Sequence, residues 1–544
     1  VHSQDPSTPW ADYTVTSLTS GKSYRVALRG DEAGRSYCSC PDFATNGLGT
    51  CKHILHVLDK ARRRFRKADL ARPHFVEQVE MWFDYGEHSG LRFNVPDDAD
   101  PSVQSICRPH VDRPLTDAAE ALKRIRRLQK SGCDVVVFPD AESWIEQELT
   151  RGRLQQATAD IRRNPAKHAL RKELLKVELL PYQLDGVAFA AGAGRAILAD
   201  DMGLGKTIQG IGTAELLARL AGIERVLVIC PASLKGQWRD EVTRFCNRSV
   251  ELITGGGSER ARQYSDGAFF TVCNYEQVLR DLDFVERVPW DLIILDEGQR
   301  IKNWESKTSR IIQSLRSRFA LVLTGTPLEN RLEELYNVVK FVDPRLMGPA
   351  YRFLHKHRVV ADTGRVSGYQ RLDELREQLR PILLRRTRNE VMKQLPERTT
   401  SILRIRPTDE QVGLHNFHMR TVQQITRKSY LTEMDLLRLQ KALLMCRMAA
   451  DSTYLVTHER PGFSSKLDRL TELLTALEEQ PDRKIVLFSE WRRMLDEIEP
   501  VFRRLGMPFV RLDGGVPQNR RPALIREFQQ NAECRAILMT NAGS

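Results

Sequence analysis

The sequence has no long apolar run and no secretion signal. None of its apolar stretches approaches the ~20 residues that a helix needs to cross a bilayer, and no signal-peptide pattern stands at its start. Cysteine is also sparse, with 10 in 544 residues, and most of these are scattered. This distribution argues against a disulfide-stapled secreted fold and predicts a reducing compartment. A membrane partner is therefore not expected.

The chain is long enough for several domains and is basic overall. A length of 544 residues predicts roughly three or four domains, each able to bury its own core. The chain has 83 Lys+Arg against 71 Asp+Glu, a net charge of +12. An acidic polymer is a reasonable partner for such a surface, although many basic proteins simply carry solvated lysines.

A glycine-spaced loop lies between an apolar run and a helical pattern. Residues 196–199 are apolar, and residues 200–207 read Asp-Asp-Met-Gly-Leu-Gly-Lys-Thr. In a strand, loop and helix of this order, backbone N–H groups and the positive end of the helix attract phosphate. Lys206 can reach the outer phosphates, and the Thr207 hydroxyl can ligate Mg²⁺. The strict phosphate-loop pattern has Gly at the position of Asp200, so an ordinary glycine-rich turn is the alternative for this loop taken alone.

From residue 176 onward, apolar strand-like runs alternate with helical stretches. Strands separated by helices predict a parallel sheet covered by helices, and ligands of such sheets lie at the carboxyl ends of the strands. Informative loops follow the strands at 200–207, 231–233, 274–275, 296–297 and 324–327. Packing alone does not explain five such loops at one sheet edge.

Two carboxylates, Asp296 and Glu297, end the apolar run 292–295. At the sheet edge, the first can hold the water shell of the Mg²⁺ that Thr207 also touches, and the second can orient or deprotonate water. A lone Asp-Glu after a strand is usually a solvated turn or a helix N-cap. Because the phosphate loop lies about ninety residues earlier in the same pattern, the pair predicts catalysis.

Three cysteines and a histidine form two tight pairs near the N-terminus. Cys38 and Cys40 follow a hairpin-like pattern at 12–37, and Cys51 and His53 come shortly afterwards. Ligands of these types suit tetrahedral Zn²⁺, and their paired spacing favours zinc. The alternatives are disulfides, which a reducing compartment disfavours, and an ordinary helix histidine at position 53.

Four stretches resemble the helicase motifs of the SWI/SNF family, the ATP-driven translocases of helicase superfamily two. They are Leu180-Pro181-Tyr182-Gln183-Leu184-Asp185-Gly186, Asp200-Asp201-Met202-Gly203-Leu204-Gly205-Lys206-Thr207, Asp296-Glu297-Gly298-Gln299 and Leu323-Thr324-Gly325-Thr326-Pro327-Leu328-Glu329-Asn330. The resemblance covers about 176–544, and it accounts for the aspartate that replaces glycine at position 200. The cysteine and histidine pairs, in the pattern C-x-C…C-x-H, resemble the SWIM zinc finger, which implies a structural metal and binding of DNA or protein.

The SWI/SNF resemblance implies an ATP site. Gln183 would contact adenine, Asp296 would bind Mg²⁺ through water, and Glu297 would activate the attacking water. Lys206, Asp296 and Glu297 are therefore the predicted catalytic residues. The remaining residues assigned to ATP and Mg²⁺ are Asp201, Met202, Gly203, Leu204, Gly205 and Thr207.

The same resemblance implies coupling and DNA-contacting residues. The predicted coupling residues are Gln299, Thr324, Gly325 and Thr326. The predicted DNA contacts are Ser233, Lys235 and Trp238. Gln299 stands where the family often has His, which leaves the local coupling contact open. Arg385 and Arg386 match an inter-lobe segment of the family, which implies a structural or DNA-proximal role.

The predicted fold class is α/β: two RecA-like parallel-sheet lobes, the second incomplete, preceded by a small zinc-bound module and an α/β connector. The predicted domains are 1–68, a SWIM-type zinc-binding module; 69–175, a connecting α/β module; 176–398, ATP-binding lobe 1; 399–462, a helical inter-lobe region; and 463–544, a partial lobe 2. Helix-spaced leucines in the inter-lobe region predict core packing; they are Leu436, Leu439, Leu443 and Leu444. We expect lobe 2 to stop within the fifth helicase motif, after Thr540, and to lack the arginine of the sixth motif.

These observations predict an ATP-dependent translocase or remodeller that moves on duplex DNA and uses ATP, Mg²⁺ and Zn²⁺. DNA-bound proteins or RNA polymerase are further candidate partners, and a cytoplasmic, nucleoid-associated location is expected. A strand-separating helicase or an RNA-polymerase-associated remodeller is the nearest alternative. The alternative of a different class is a zinc-dependent nucleic-acid- or protein-binding module whose motor binds ATP without turnover, which an incomplete second lobe would favour.

Overall fold

The computed structural model of the chain divides into two compact units, Val1–Leu395 and Pro396–Ser544. It describes residues 1–16, 21–72, 74, 76–85, 89–301, 306–325, 332–360, 366–391, 400–478, 480, 482–517 and 520–541, without the side chains of residues 44 and 45. In this described part of the chain, we find no helix with the length and apolar character needed to cross a membrane.

The first unit begins with a small antiparallel sheet followed by helices. Its elements are β1 (His2–Ser3), β2 (Asp12–Thr16), β3 (Ser23–Ala27), β4 (Tyr37–Cys38), α1 (Pro41–Asn46), α2 (Lys52–Arg64) and α3 (Lys67–Leu70). The strands lie in the order β1-β2-β3-β4. Tyr13 and Val15 of β2 point into the core while the threonines beside them are exposed, as the two-residue period of a strand requires. They pack in one cluster with Ile54 and Val57 of α2.

A second small sheet follows, flanked by helices. The elements are β5 (Val79–Asp84), β6 (Gly90–Asn94), α4 (Pro101–Cys107), α5 (Ala118–Lys130), β7 (Val135–Val137), α6 (Pro139–Arg163) and α7 (Leu170–Glu173). Strand β5 pairs antiparallel with β6 and parallel with β7. The Asp117 carboxylate accepts from the backbone N–H groups of Ala119 and Glu120, so α5 begins at a side-chain cap.

The rest of the first unit alternates strands and helices. Its elements are α8 (Pro181–Ala193), β8 (Arg195–Leu198), α9 (Lys206–Ala221), β9 (Val226–Cys230), α10 (Lys235–Phe245), β10 (Val250–Leu252), α11 (Gly257–Ser265), β11 (Phe270–Asn274), α12 (Tyr275–Arg280), α13 (Leu282–Val285), β12 (Leu292–Asp296), α14 (Lys307–Ser314), β13 (Phe319–Leu323), α15 (Leu332–Val342), α16 (Ala350–His357), β14 (Arg358–Val360), β15 (Val366–Tyr369), α17 (Leu372–Leu379), β16 (Leu383–Leu384) and α18 (Arg388–Val391). Short 3₁₀ turns lie at Ala232–Leu234 and Gly298–Ile301.

Seven strands among the described residues form one parallel sheet in the order β10-β11-β9-β12-β13-β8-β16. Every residue of β9, β12 and β13 is buried, because helices cover both faces of the sheet. Successive residues of β8, Ile197 and Leu198, pack into separate clusters on opposite faces. The prediction of a parallel, helix-covered sheet is confirmed, and the carboxyl ends of its central strands meet at one edge.

The second unit contains helices and a parallel three-stranded sheet in the order β17-β19-β18. Its elements are α19 (Asp409–Thr426), α20 (Glu433–Asp451), α21 (Tyr454–Thr457), α22 (Ser465–Glu478), β17 (Ile485–Phe488), α23 (Arg492–Arg504), β18 (Phe509–Leu512), α24 (Arg521–Gln530) and β19 (Ala536–Met539). Helix α19 packs against α20. The three strand-like runs predicted after residue 483 are confirmed as β17, β18 and β19.

The predicted core packing of the inter-lobe leucines is wrong. Leu436 is 45% exposed, and the other helix-spaced leucines of α20 are exposed or half-buried. The buried stripe of α20 consists instead of Ala442, Cys446 and Ala449. Small side chains on this stripe suit close packing of α20 against α19, and the leucines lie outside the stripe.

Candidate functional site

The predicted phosphate-binding loop joins β8 to α9, and its conformation depends on two glycines. Gly203 has φ 85° and Gly205 has φ 73°, in the left-handed region that residues with a Cβ rarely adopt. A Cβ on Gly205 would also lie 2.6 Å from Nε2 of Gln183. Gly205 is the N-cap of α9, so the positive end of that helix faces the loop, an arrangement that attracts phosphate.

The Lys206 ammonium is held above this loop. Its Nζ donates to the carbonyl oxygens of Asp200 at 2.9 Å and Asp201 at 3.2 Å. Burial lowers the pKa of Lys206, whereas the carboxylates of Glu297 and Asp296 act in the opposite direction. A half-buried cation with acidic neighbours is suited to bind a phosphate group together with a divalent metal ion.

Asp296 ends β12, and fixed donors orient its carboxylate. Trp238 Nε1 donates to Oδ2 at 2.7 Å, and the backbone N–H of Glu297 donates to Oδ1 at 3.0 Å. Burial raises the pKa of Asp296, and the Trp238 hydrogen bond opposes this shift. The Tyr275 hydroxyl donates to the carbonyl oxygen of Asp296 at 2.8 Å. The remaining lone pairs of the carboxylate can accept hydrogen bonds from metal-bound water.

Glu297 is linked to the end of the neighbouring strand through Gln299. Gln299 Nε2 donates to Glu297 Oε2 at 2.6 Å, and the Thr324 hydroxyl donates to Gln299 Oε1 at 3.0 Å. A glutamine amide can bridge in this way because it carries both a donor and an acceptor. Glu297 itself has φ 52°, a strained conformation for a residue with a Cβ. The structure therefore brings the predicted catalytic carboxylate and two predicted coupling residues into one chain of hydrogen bonds.

The end of β13 and the start of α8 also reach the phosphate loop. A Cβ on Gly325 would lie 3.0 Å from Lys206 Nζ and 2.9 Å from Cγ of Met202. Gln183 Oε1 accepts from the N–H of Leu180 at 3.0 Å, and Gln183 Nε2 points to the carbonyl oxygen of Leu204 at 3.4 Å. The predicted coupling residue Thr326 lies outside the described residues.

The predicted DNA contacts at Lys235 and Trp238 are not supported, because the structure buries both side chains. Trp238 is 1% exposed and Lys235 is 9% exposed. The Trp238 indole binds Asp296 as described above, and Lys235 Nζ donates to the carbonyl oxygen of Ile253 and to Oε1 of Gln277. Of the three predicted residues, only Ser233 is exposed. A DNA contact therefore stays a prediction for Ser233 alone.

Sequence reasoning missed a buried ion pair beside the loop. Arg386 Nη2 and Nε donate to the two oxygens of Asp200 at 2.6 and 3.1 Å, and Nη2 also donates to Gln209 Oε1 at 2.9 Å. Asp200 is fully buried, and a buried carboxylate requires a charged or hydrogen-bonded partner. An aspartate at the buried end of an apolar strand was the available signal, since it predicts such a partner elsewhere in the chain.

Cys38, Cys40, Cys51 and His53 form a separate buried cluster whose ligand atoms all lie within 4.8 Å of one another. Cys38 Sγ lies 3.8 Å from His53 Nδ1, close to the edge of a tetrahedron with ligand bonds of about 2.0–2.3 Å. Cys40 and Cys51 are the N-caps of α1 and α2, and helix N-termini stabilise thiolates. These residues suit one tetrahedral Zn²⁺, while zinc and the SWIM assignment remain predictions.

The part of the chain that holds the cysteine–histidine cluster and the second small sheet both pack against the helices of the parallel sheet in the same unit, the latter through α6 and α8. Helix α1 contacts α14, which follows the Asp296–Gln299 stretch in the chain. Phe43 of α1 packs edge-on against Tyr85 at 5.4 Å between ring centroids, and the Tyr85 hydroxyl donates to Asp140 at 2.8 Å. On the surface, Lys22 pairs with Glu286 at 3.0 Å. The cluster thus belongs to a continuous packed body.

A phosphate loop facing an Asp-Glu pair at the carboxyl edge of a parallel sheet is typical of an enzyme that hydrolyses a nucleoside triphosphate. Residues 182–451 match the SNF2-related domain, and residues 465–544 match the helicase conserved C-terminal domain. The chain belongs to this SNF2-related family, which confirms the family predicted from the motifs.

The chain is also similar to curated proteins over much of its length. Chromodomain-helicase-DNA-binding protein 1-like of Danio rerio is 31% identical over 397 residues, which are 68% of this chain and 37% of that protein. DNA repair and recombination protein RAD54B of Mus musculus is 28% identical over 414 residues, 64% of this chain and 46% of that protein. Putative ATP-dependent helicase/translocase YwqA of Bacillus subtilis is 29% identical over 534 residues, 92% of this chain and 54% of that protein. The chain spans about a third to a half of the length of these relatives.

Proposed function

We propose that the chain is the motor of an ATP-dependent translocase that moves along duplex DNA. The observation that carries the proposal is the convergence of Lys206, the Asp296–Glu297 pair and the Gln299–Thr324 contact at one edge of the sheet. A protein that binds ATP without hydrolysing it would not need the hydrogen bonds that link the Glu297 carboxylate through Gln299 to Thr324 at the end of β13. Two of the relatives named above are described as a helicase-DNA-binding protein and an ATP-dependent helicase/translocase, and the third as a DNA repair and recombination protein, which supports DNA as the track.

Each residue at the site has a proposed role that its surroundings favour. Lys206 binds the outer phosphates of ATP, and Glu297 accepts a proton from the attacking water or orients it. Thr207 and Asp296 are the residues that would hold Mg²⁺, which would supply positive charge beside the phosphates when bound. Gln299 then passes a change at Glu297 to Thr324, so that phosphate release alters the end of β13.

Gln183 and the main chain of the loop complete the proposed ATP site. Gln183 lies against the loop through Leu204 and is proposed to bind adenine by its amide edge. The turns at Gly203 and Gly205 direct backbone N–H groups of the loop and of the first turn of α9 towards the proposed phosphate position. Ser233, exposed after β9, remains the proposed DNA contact. We further propose that the cysteine–histidine cluster binds one structural Zn²⁺.

The test is the ATPase rate with duplex DNA, single-stranded DNA, RNA and no nucleic acid. We expect duplex DNA to stimulate turnover most, and the affinity for DNA to fall steeply with salt because binding releases counterions. Stable DNA binding without turnover would instead favour the zinc-dependent binding module. Stimulation by RNA alone would refute the DNA track.

Two variants separate the roles of lysine and glutamate. Lys206→Ala should weaken ATP binding strongly, whereas Glu297→Gln should bind ATP normally and stop hydrolysis, because the amide keeps the shape but cannot act as a base. Lys356→Ala and Glu374→Gln are matched controls, since these residues form an exposed pair at 2.9 Å and should leave both properties unchanged. Equal loss of binding in both site variants would contradict the assigned roles.

A further inference from the structure

The chain segment that leaves the ATP-binding sheet runs beside the phosphate loop. Ile197 N–H donates to the carbonyl oxygen of residue 382 at 2.7 Å, and Ala199 N–H donates to that of residue 384 at 2.8 Å. The pairing continues into the loop, where Asp201 N–H donates to the carbonyl oxygen of Arg386 at 3.1 Å. Arg388 N–H returns a bond to the Asp201 carboxylate at 3.0 Å. Residues 382–388, here called the exit segment, therefore follow β8 past its end and along the loop.

One guanidinium of the exit segment contacts several elements that hold the nucleotide. Arg386 binds both oxygens of Asp200 in the loop and Oε1 of Gln209 in α9. It also donates to the carbonyl oxygen of Tyr182 in α8 and lies 5.5 Å from the centroid of that ring. Bidentate contacts of this kind fix geometry as well as charge, because the planar donor fork of arginine matches a carboxylate.

The surroundings leave this guanidinium little freedom. The Arg386 side chain is 11% exposed and that of Asp200 is fully buried. A Cβ on Gly186 would lie 2.0 Å from Gln209 Oε1 and 2.6 Å from Arg386 Nη2. The pair is therefore packed on the α8 side, and a movement of the exit segment must move Asp200 with it or break the pair.

From these contacts we infer that Arg386 is a positioning residue for ATP. It fixes the position of the phosphate loop through Asp200, so that a movement of the exit segment moves that loop. The exit segment leads within a few residues to the start of the second unit at Pro396. A displacement of the exit segment reaches the loop through this pair, and nucleotide in the loop holds the exit segment in place. The coupling is reciprocal, as linkage between two sites requires.

Arg386→Lys tests the inference in the chain of 544 residues. Lysine keeps the positive charge beside Asp200 but lacks the fork, so we expect a folded protein with an unchanged circular dichroism spectrum. The dissociation constant for a fluorescent ATP analogue with Mg²⁺ and the KM for ATP should rise about tenfold, the effect of roughly one charge-assisted hydrogen bond. The kcat should change less than the KM, because Asp296 and Glu297 are untouched.

Arg380→Ala is the matched control. Arg380 lies in the turn before the exit segment, and both it and its partner Glu377, at 3.4 Å, are largely exposed. Its removal should leave the affinity for ATP at the wild-type value. A wild-type KM in Arg386→Lys, or an equal change in both variants, would overturn the inference.

Hydrogen exchange provides a readout that a purely structural pair would not move. In the wild-type chain, the Mg²⁺-bound ATP analogue should slow amide exchange in residues 384–388, and this protection should be lost in Arg386→Lys. If the ATP analogue left the amide exchange rate of these residues unchanged in the wild-type chain, the coupling would be refuted, even if the variant failed to fold. The inference rests on the proposed ATP binding: a wild-type chain that binds no ATP refutes both, whereas normal binding in Arg386→Lys refutes only the inference.

Discussion

Replacing Trp238 by Phe should perturb the carboxylate of Asp296 without removing it. The indole donates to Asp296 Oδ2 at 2.7 Å, and both side chains are buried. Phenylalanine keeps most of the apolar surface in this position but has no donor. The variant therefore leaves one oxygen of a buried carboxylate without its side-chain partner.

The size of the effect follows from the nature of the lost bond. A hydrogen bond to a charged group contributes roughly 1.5–3 kcal/mol, and a difference of 1.36 kcal/mol corresponds to about one pKa unit. Burial already raises the pKa of Asp296, and the Trp238 bond lowers it. Its loss should therefore move the acidic limb of the pH–rate profile upward by about one to two pH units.

Stability should depend on pH in the same variant. Because the pKa of Asp296 is raised in the folded state, the protonated form suits the folded protein, and stability is lost as pH rises through the folded pKa. The free energy of unfolding of Trp238→Phe, measured with urea and circular dichroism, should therefore recover as the pH falls through the raised pKa of Asp296 towards the ordinary carboxyl pKa. The same preparations give the ATPase profile.

Trp290→Phe is the control that separates burial from electrostatics. Trp290 is also buried, and its indole donates to the carbonyl oxygen of Val285 at 2.9 Å. Its replacement should lower the free energy of unfolding by a similar amount at every pH and leave the pH–rate profile in place. If Trp238→Phe showed the control's behaviour, the Trp238 bond would not govern the protonation of Asp296.

Three further perturbations have directions that the structure determines. Gly186→Ala should destabilise the first unit by roughly 1–3 kcal/mol, because its Cβ would overlap Gln209 Oε1; Gly152→Ala, a helical site with no heavy atom within 4 Å of its Cβ, should be neutral or stabilising in the same thermal unfolding assay. The purified chain should contain about one zinc ion by elemental analysis, and Cys51→Ser should lose it and lower the unfolding temperature; metal-free protein of wild-type stability would refute this. Gln299→Leu should preserve ATP binding while reducing DNA-stimulated turnover about tenfold or more, since it cuts the link to the neighbouring strand; an unchanged stimulated rate would show that the link is dispensable.

The sheet and its loops were predictable from sequence for a physical reason. A parallel strand buried on both faces reads as a continuous apolar run, as Leu292 to Leu295 do, and polar residues at the end of such a run must lie at the sheet edge. The convergence of the phosphate loop with Asp296 and Glu297 could therefore be predicted from the rule that the carboxyl ends of parallel strands meet at one edge of the sheet. The hairpin at β2–β3 and the helix that begins after Asp117 were predictable from alternation and a side-chain cap.

Contacts that depend on distant partners were not predictable. The N–H groups of Trp238 and Lys235 can donate to DNA as well as to a buried acceptor. In the structure they donate to Asp296 and Gln277, which lie on other elements. In α20, helical spacing shows that leucines share one side but not which side faces its neighbour, and the small residues around Ala442 occupy the contact. The Arg386–Asp200 pair joins positions 186 residues apart, so no local sequence pattern indicates that the two residues are in contact.

Strand β16 has a practical consequence for anyone who divides this chain. It covers the outer edge of β8, pairing at Leu383 and Leu384, although it comes after the helices and the hairpin that follow β13. A fragment that ends at Val342 would expose the edge of β8, and exposed edges invite pairing with other chains and aggregation. Such a fragment should precipitate where one that extends through Val391 stays dispersed, which light scattering on the two purified fragments would reveal.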